Sequence, residues 1–295
     1  MNKSLDMASP LRYPGGKSRV TPFLTDILLL NNLEGSTFYE LYAGGAGAAL
    51  NLLYKGVVEN IVINDYDIHI YSFWMSVIHQ TDRLLKLIHD TPVNVDVWQK
   101  QRNIYENHEL HTDLEVGFST FYLNRCNRSG ILYKAGPIGG KGQNGNYKID
   151  VRFNKIELSE RIIKIAKYGE RIKATRFKTK SYLPEIFSTD ENQFVFLDPP
   201  YYNQGENLYL NFYHHDDHEQ LMRLLSNNHD KNFFLTYDNC DAINDIYSKF
   251  RRAELPMSYT LQSKRKSKEV MIFPNALRIP KSLRIRKTTL PLQII

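Results

Sequence analysis

The apolar run Phe194-Val195-Phe196-Leu197 breaks off into Asp198-Pro199-Pro200-Tyr201, and no other stretch constrains the fold as tightly. Four consecutive apolar residues read as a strand buried on both faces. The two prolines end its ladder and fix the backbone, so a carboxylate, a carbonyl acceptor and an aromatic ring are held together at the strand's end. Open α/β sheets bind their ligands at that end. Such a set suits a planar amine. The same tetrapeptide would also serve as a plain strand exit, with Asp198 capping a turn and Tyr201 packing on the rim.

A second motif lies near the N-terminus. Residues 37–42 alternate in an aromatic strand pattern and run into Ala43-Gly44-Gly45-Ala46-Gly47, after which residues 48–53 have helical composition. Glycines let the backbone approach a ligand, and a helix start offers free amide donors. The dinucleotide fingerprint is met in part: Gly45 and Gly47 fit, while Leu50 stands where the third glycine would be. Next comes Ile61-Val62-Ile63-Asn64-Asp65, whose acid follows the glycine turn by about 20 residues, the spacing at which a carboxylate meets ribose hydroxyls. A cofactor carrying an adenosine is therefore expected. Asp65 would equally cap a helix over residues 68–78, and the two roles are compatible. The cluster Arg12-Tyr13-Pro14-Gly15-Gly16-Lys17-Ser18 fails as a phosphate loop, because Leu11 occupies the first glycine's place and no strand precedes it. It reads as a turn presenting Tyr13 and Lys17 to a cofactor pocket, or as a basic surface turn.

Strand patterns at residues 173–177 and 233–237 alternate with helical ones at 158–168 and 219–226, which predicts a mostly parallel sheet with helices on both faces. Between its halves, Trp74, Val77, Ile78, Leu84, Leu85 and Ile88 recur at helical spacing, and Asn144-Gly145 signals a hairpin turn. From residue 125 to 176, Arg128, Lys134, Lys141, Lys148, Arg152 and Lys155 alternate with Tyr133, Tyr147 and Phe153, a mixture suited to gripping phosphates and touching bases, or to a solvated face with a few packed rings. A net charge of +6 and a pI near 9.0 favour a polyanionic partner. Arg125 or Arg128 would read guanine if presented in a major groove, and Arg265 in the run Lys264-Arg265-Lys266 would sit near phosphates. The acids and imidazoles of His214-His215-Asp216-Asp217-His218 are consecutive rather than at ligand spacing, so a helix start capped by Asp216 or Asp217 is expected there instead of a metal site. Cys126 and Cys240 form no disulfide framework, no apolar run approaches membrane-spanning length, and a reducing cytoplasm is the expected compartment.

Taken together and in chain order, residues 12–17, residues 40–47, Asn64-Asp65 and Asp198-Pro199-Pro200-Tyr201 resemble the Dam-like class of DNA adenine methyltransferases. The likeness continues through residues 212–221, 234–239 and 264–273, and Asn124-Arg125-Cys126-Asn127-Arg128-Ser129-Gly130 resembles the family's DNA-reading segment. The resemblance implies a Rossmann-like sheet, S-adenosyl-L-methionine as cofactor and double-stranded DNA as substrate, with a cognate restriction endonuclease as a possible partner. It implies that Asp198 and the Pro199 carbonyl accept from an adenine amino group while Tyr201 stacks on the base. Tyr13, Lys17, Glu40, Gly45, Gly47, Asp65 and Asp198 would hold the cofactor, and Arg125, Asn127, Arg128, Lys134, Lys141 and Arg265 would contact DNA. The expected organisation is a catalytic domain over residues 9–69 and 178–275, a largely helical target-recognition insert with a hairpin loop over 70–177, and a C-terminal extension over 276–295. Tyr13 stands where many relatives have tryptophan, and Gly136-Pro137-Ile138-Gly139-Gly140 departs from the GATC-reading hairpin, so the recognition sequence stays open. An RNA or protein-glutamine methyltransferase, and a catalytically silent DNA-binding protein of the same fold, are the competing readings.

Overall fold

The computed structural model describes residues 8–13, 16–189, 191–203, 213–256, 268–285 and 288–295. Seven strands build its main sheet: Thr37–Leu41 (β1), Asn60–Asn64 (β2), Ile172–Thr175 (β3), Gln193–Leu197 (β4), Phe233–Asp238 (β5), Arg251–Pro256 (β6) and Lys268–Phe273 (β7). They form one sheet in the order β3-β2-β1-β4-β5-β7-β6. The first five run parallel, and β7 is antiparallel to both its neighbours. From β1 the chain proceeds outward to β2 and β3 on one side and to β4 and β5 on the other. The β1/β4 boundary is thus the switch point where a doubly wound sheet opens its ligand crevice.

Successive side chains of these strands feed two cores. Phe38, Phe194, Phe196, Phe234 and Phe273 point to one face, whereas Leu41, Val195, Leu197, Leu235 and Ile272 point to the other. The first face carries stacked rings, Phe38 on Phe194 at 5.8 Å, Phe196 on Phe234 at 5.3 Å and Phe234 on Phe273 at 5.2 Å between centroids. Helices Thr21–Leu30 (α1) and Gly47–Tyr54 (α2) contribute to that core, and Thr179–Phe187 (α8), His215–Ser226 (α9) and Asp241–Ile246 (α10) to the opposite one. Burial on both faces explains why the strands read as continuous apolar runs.

Between β2 and β3 lie helices Ile68–His79 (α3), Thr81–Asp90 (α4), Val95–Glu106 (α5), Asp113–Cys126 (α6) and Lys155–Ala166 (α7). Strand β3 pairs in parallel with β2, so the segment expected to be inserted over 70–177 gives way to the main sheet at Ile172. Helix α6 is buried from Val116 to Cys126 and forms the central rod of this region. A helix covered on all sides shows no amphipathic stripe. The Asn144-Gly145 turn is not flanked by paired strands: residues 127–153 are a series of turns closed by one antiparallel bridge, Asn127 with Pro137. Gln143 organises them, its Nε2 donating to the carbonyls of Ile138 and Gly140 while its Oε1 accepts from the Ile149 amide. Strands Ser282–Ile285 (β8) and Thr288–Pro291 (β9) make a C-terminal hairpin tied to α1 by the Arg284–Asp26 ion pair, and Ile294 bridges Ala253 at the free edge of β6.

Candidate active site

A cavity of about 620 Å³ opens at the switch point, lined from the catalytic side by Tyr13, Lys17, Glu40, Gly45, Gly47, Asp65 and Asp198. Every residue assigned to the cofactor from sequence therefore meets in one place. Arg125, Leu132 and Tyr133 close it from the helical region.

Asp198 follows directly on β4. Lys17 Nζ donates to its Oδ2 at 2.8 Å and Thr236 Oγ1, from the neighbouring β5, donates to its Oδ1 at 2.7 Å. Each oxygen keeps a lone pair, and the side chain is 20% exposed. Lys17 is buried and also reaches Tyr201 Oη at 3.2 Å and Glu269 Oε1 at 3.5 Å, while Tyr201 donates its hydroxyl hydrogen to the same Glu269 oxygen. Glu269 comes from β7 and is 0% exposed. Burial pushes its carboxyl up, Lys17 pulls it down, and Asp198 pushes it up again. Pro199 and Pro200 are buried, and Pro200 lines the cavity. The tetrapeptide is steadied from behind by Asp238, whose two oxygens accept from the amides of Tyr202 and Asn203 at 2.9 and 3.2 Å. Tyr201 itself is only 8% exposed, turned into the Lys17–Glu269 cluster.

At the end of β1, buried Glu40 accepts from the Ala49 amide of α2 at 2.8 Å, and burial raises its carboxyl to about 8. Asp65 directly follows β2, with one oxygen on the Gly44 amide (2.8 Å) and the other on the Asp67 amide (3.0 Å). Desolvation, with the charge of Asp67 next, raises it to about 7. The helix-cap alternative falls to Asp67, which accepts from the His69 amide at the start of α3 and leaves Asp65 on the glycine turn. That turn has little spare room. A Cβ on Gly44, whose φ is +47°, would come within 2.7 Å of the Tyr13 ring, and Trp74 Nε1 fixes the Gly44 carbonyl at 2.9 Å. Tyr13 therefore packs onto the turn that the sequence reading gave to the cofactor alone.

The DNA-contact assignments divide. Arg128, Lys134 and Lys141 are exposed on the turns after α6, and Lys134 lies over the Tyr133 ring at 4.6 Å. Arg125 and Asn127 are not presented outward. Arg125 is 8% exposed, with its guanidinium donating to the carbonyls of Arg152 and Pro10, and burial plus the neighbouring Arg12 and Arg161 lower it to about 9. Asn127 is fully buried, accepting from Trp98 Nε1 at 2.7 Å and donating to the Ile131 carbonyl at 2.8 Å. Arg125 lies in the last turn of the buried helix α6 and lines the cavity, and Asn127 follows as that helix's C-cap, so neither is displayed on the exposed turns as Arg128, Lys134 and Lys141 are. Phe153 likewise packs on Phe121 and Tyr122, both at 5.3 Å. Arg265 lies outside the described residues. At His214 the helix start differs from the expected Asp cap: His214 is the cap and Asp217 accepts from its amide at 2.9 Å.

The sequence reading assigned no role to Thr236, Asp238, Glu269 or Trp74. Thr236 and Asp238 sit on β5, and Glu269 is an acid among the apolar residues of β7, a charge whose burial asks for a partner.

A doubly wound sheet with an antiparallel β7 and an acid-lined crevice at its switch point defines a Rossmann-like methyltransferase. The chain belongs to the D12 class N6 adenine-specific DNA methyltransferase family, whose model matches residues 13–261. It is an adenine-specific DNA methyltransferase. No curated protein matches it. Among solved structures it is similar to protein LPL1258 from Legionella pneumophila, at 12% identity over 89% of this chain and 86% of that one, with a TM-score of 0.34.

Proposed function

We propose that the methyl donor is S-adenosyl-L-methionine and that the acceptor is the 6-amino nitrogen of an adenine turned out of duplex DNA. The observation that carries this reading is Asp198, held by Lys17 and Thr236 with lone pairs open to a cavity that Asp65 also lines. The cavity's volume lies within the range of small-molecule sites, and its acid walls at Asp65, Glu40 and Asp198 suit a ligand with ribose hydroxyls and a positive sulfonium. When bound, the cofactor supplies an electrophilic methyl group.

The residues then have separable tasks. Asp65 accepts from ribose hydroxyls, while Tyr13, Lys17, Glu40 and the turn at Gly45 and Gly47 shape the rest of the cofactor site. An adenine amino nitrogen shares its lone pair with the ring and is a poor nucleophile. Asp198 and the Pro199 carbonyl accept its two hydrogens, draw it toward a pyramidal geometry and aim the freed lone pair, so placement does much of the work. An amine nitrogen that gained the methyl group would lose one of those hydrogens as a proton, and Asp198, already its acceptor, would take it. Tyr201 stacks on the base, which requires the side chains covering it to move aside as the base enters. That stacking contributes about 1–3 kcal/mol, comparable with the few kcal/mol needed to extrude a base.

Residues up to the start of β3 act as the target-recognition region, and Arg128, Lys134 and Lys141 meet DNA phosphates or bases. A cytoplasmic enzyme, with or without a cognate restriction endonuclease, fits this reading; no helix among the described residues is long and apolar enough to cross a membrane. The test is methyl transfer from labelled S-adenosylmethionine with duplex DNA, RNA and peptide in competition, followed by mapping of the modified bases. Methyladenine at one short duplex motif is the expected result. Labelling of RNA or peptide instead would overturn it.

A further inference from the structure

The chemistry proposed above leaves one buried acid without a task. Asp198 has its own cation, Lys17, and a second donor, Thr236. A fully buried Glu269 behind that pair therefore adds a negative charge that the local ion pair does not need. Burying a carboxylate is costly unless it is held, and one of its oxygens, Oε2, is buried with no hydrogen-bond partner among the described residues. The other oxygen collects the Tyr201 hydroxyl and faces Lys17 Nζ at 3.5 Å. Arg19 adds a more distant positive charge, and Asp198 a negative one.

We infer that Glu269 is a positioning residue for methyl transfer, an anionic counterweight that shares Lys17 and so keeps Asp198 from being neutralised by its own ion pair. The inference rests on Asp198 being the acceptor for the amine. Lys17 Nζ lies within hydrogen-bonding distance of three oxygens: Asp198 Oδ2 at 2.8 Å, Tyr201 Oη at 3.2 Å and Glu269 Oε1 at 3.5 Å. A lysine drawn by one acid alone withdraws electron density from that acid's oxygens, whereas one divided between two acids withdraws less. The acceptor strength of Asp198 is what the amine feels. With Lys17, Asp198 and Glu269 all charged, the cluster carries one net negative charge. That sign complements the positive charge that builds on the amine nitrogen as the new bond forms. Through Tyr201, the same acid also fixes the ring assigned to the base. Burial pushes the Glu269 carboxyl upward, whereas the charges of Lys17 and, more distantly, Arg19 pull it down and favour its anion.

The experiment compares wild type, Glu269→Gln, Tyr201→Phe and Asp198→Ala in single-turnover methylation of a duplex substrate, with cofactor affinity by titration calorimetry and thermal unfolding alongside. Glu269→Gln keeps the shape and removes the charge. It should lower the rate of the chemical step about tenfold or more, below the loss typical for removing a direct transition-state contact. Cofactor Kd and DNA KM should stay within about twofold. The acid limb of the pH–rate profile should move to lower pH, since a cluster with one anion fewer gives up its proton more readily. A purely structural Glu269 would instead change unfolding temperature and KM without moving that limb. Tyr201→Phe keeps the ring and removes the hydroxyl, and should give a smaller, severalfold loss in rate. If Glu269→Gln does not fold, Tyr201→Phe decides. Wild-type rate and pH profile in Glu269→Gln, or in Tyr201→Phe where that variant decides, would overturn the inference. An active Asp198→Ala would overturn the underlying assignment instead, so the two failures are distinguishable.

Discussion

The acid cluster beneath the cavity and the turns beyond α6 are built in opposite ways. At the acid end, Lys17, Asp198, Tyr201, Thr236 and Glu269 come from four separate parts of the chain and bind one another through side chains, nearly all of them buried. At the loop end, Arg128, Lys134 and Lys141 are exposed, and the turns that carry them are held largely through main-chain atoms. The residues proposed for the chemistry sit in a cross-linked interior, while those proposed for contact with DNA are exposed heads on a tied backbone. Substitutions at the first end should change the reaction, and those at the second should change affinity.

The sharpest break in that contrast comes from Asp198→Ala, which should reduce methyl transfer by on the order of 10²–10⁴-fold while leaving cofactor binding largely intact, read by labelled transfer and calorimetry. Gly44→Ala should cost about 1–3 kcal/mol of cofactor affinity, roughly ten- to a hundredfold in Kd, because its Cβ must displace the Tyr13 ring and adopt a left-handed φ. An unchanged Kd would mean that Tyr13 does not shape the cofactor site. Asn127→Ala belongs, by this comparison, with the interior despite its place beside the loop. Stranding Trp98 Nε1 and the Ile131 carbonyl should lower unfolding free energy by about 1–3 kcal/mol in urea denaturation.

Two smaller effects sharpen the comparison. With Asp65 raised to about 7, its ionised form, the stronger acceptor for ribose hydroxyls, gains population as pH rises through neutrality. Cofactor binding should therefore strengthen between pH 6 and pH 8, by up to about tenfold, and Asp65→Asn should flatten that dependence in calorimetry. At the loop end, Arg128→Ala or Lys141→Ala should weaken DNA binding evenly across sequences and reduce the salt slope by about 1 if the side chain meets a phosphate. A change confined to one base position would instead make that residue a reader.

Local pattern sufficed for strands β1 to β5 and the glycine turn, because period and composition act within a few residues, while the shared placement of Asp65 and Asp198 came from the family resemblance. It could not show which polar residues are interior. Asn127 in a basic, glycine-rich stretch looks like a surface contact, yet its fate is set by Trp98, 29 residues away. Asp67 took the helix cap from Asp65 by a difference of two positions that both satisfy the same chemistry. Glu269 acquires its place only when β7 inserts antiparallel between β5 and β6, a pairing no periodicity reports. The glycines at 44 and 45 were legible as small residues, but not as the floor on which Tyr13 rests.

Asn124 draws these two ends together. From α6 its amide accepts from the Arg12 amide at 2.7 Å and donates to the carbonyls of Arg12 and Gly130 at 2.8 and 2.9 Å, while Arg161 and Arg125 grip the carbonyls of Ser9 and Pro10. Each of these bonds ends on the peptide backbone of the segment it holds. The side chains displayed on the turns beyond Gly130 can be exchanged without loosening the stretch that delivers Tyr13 and Lys17. With those turns reading DNA as proposed, a change of target sequence would be a matter of redecorating a fixed scaffold, and one catalytic apparatus could serve many recognition sites.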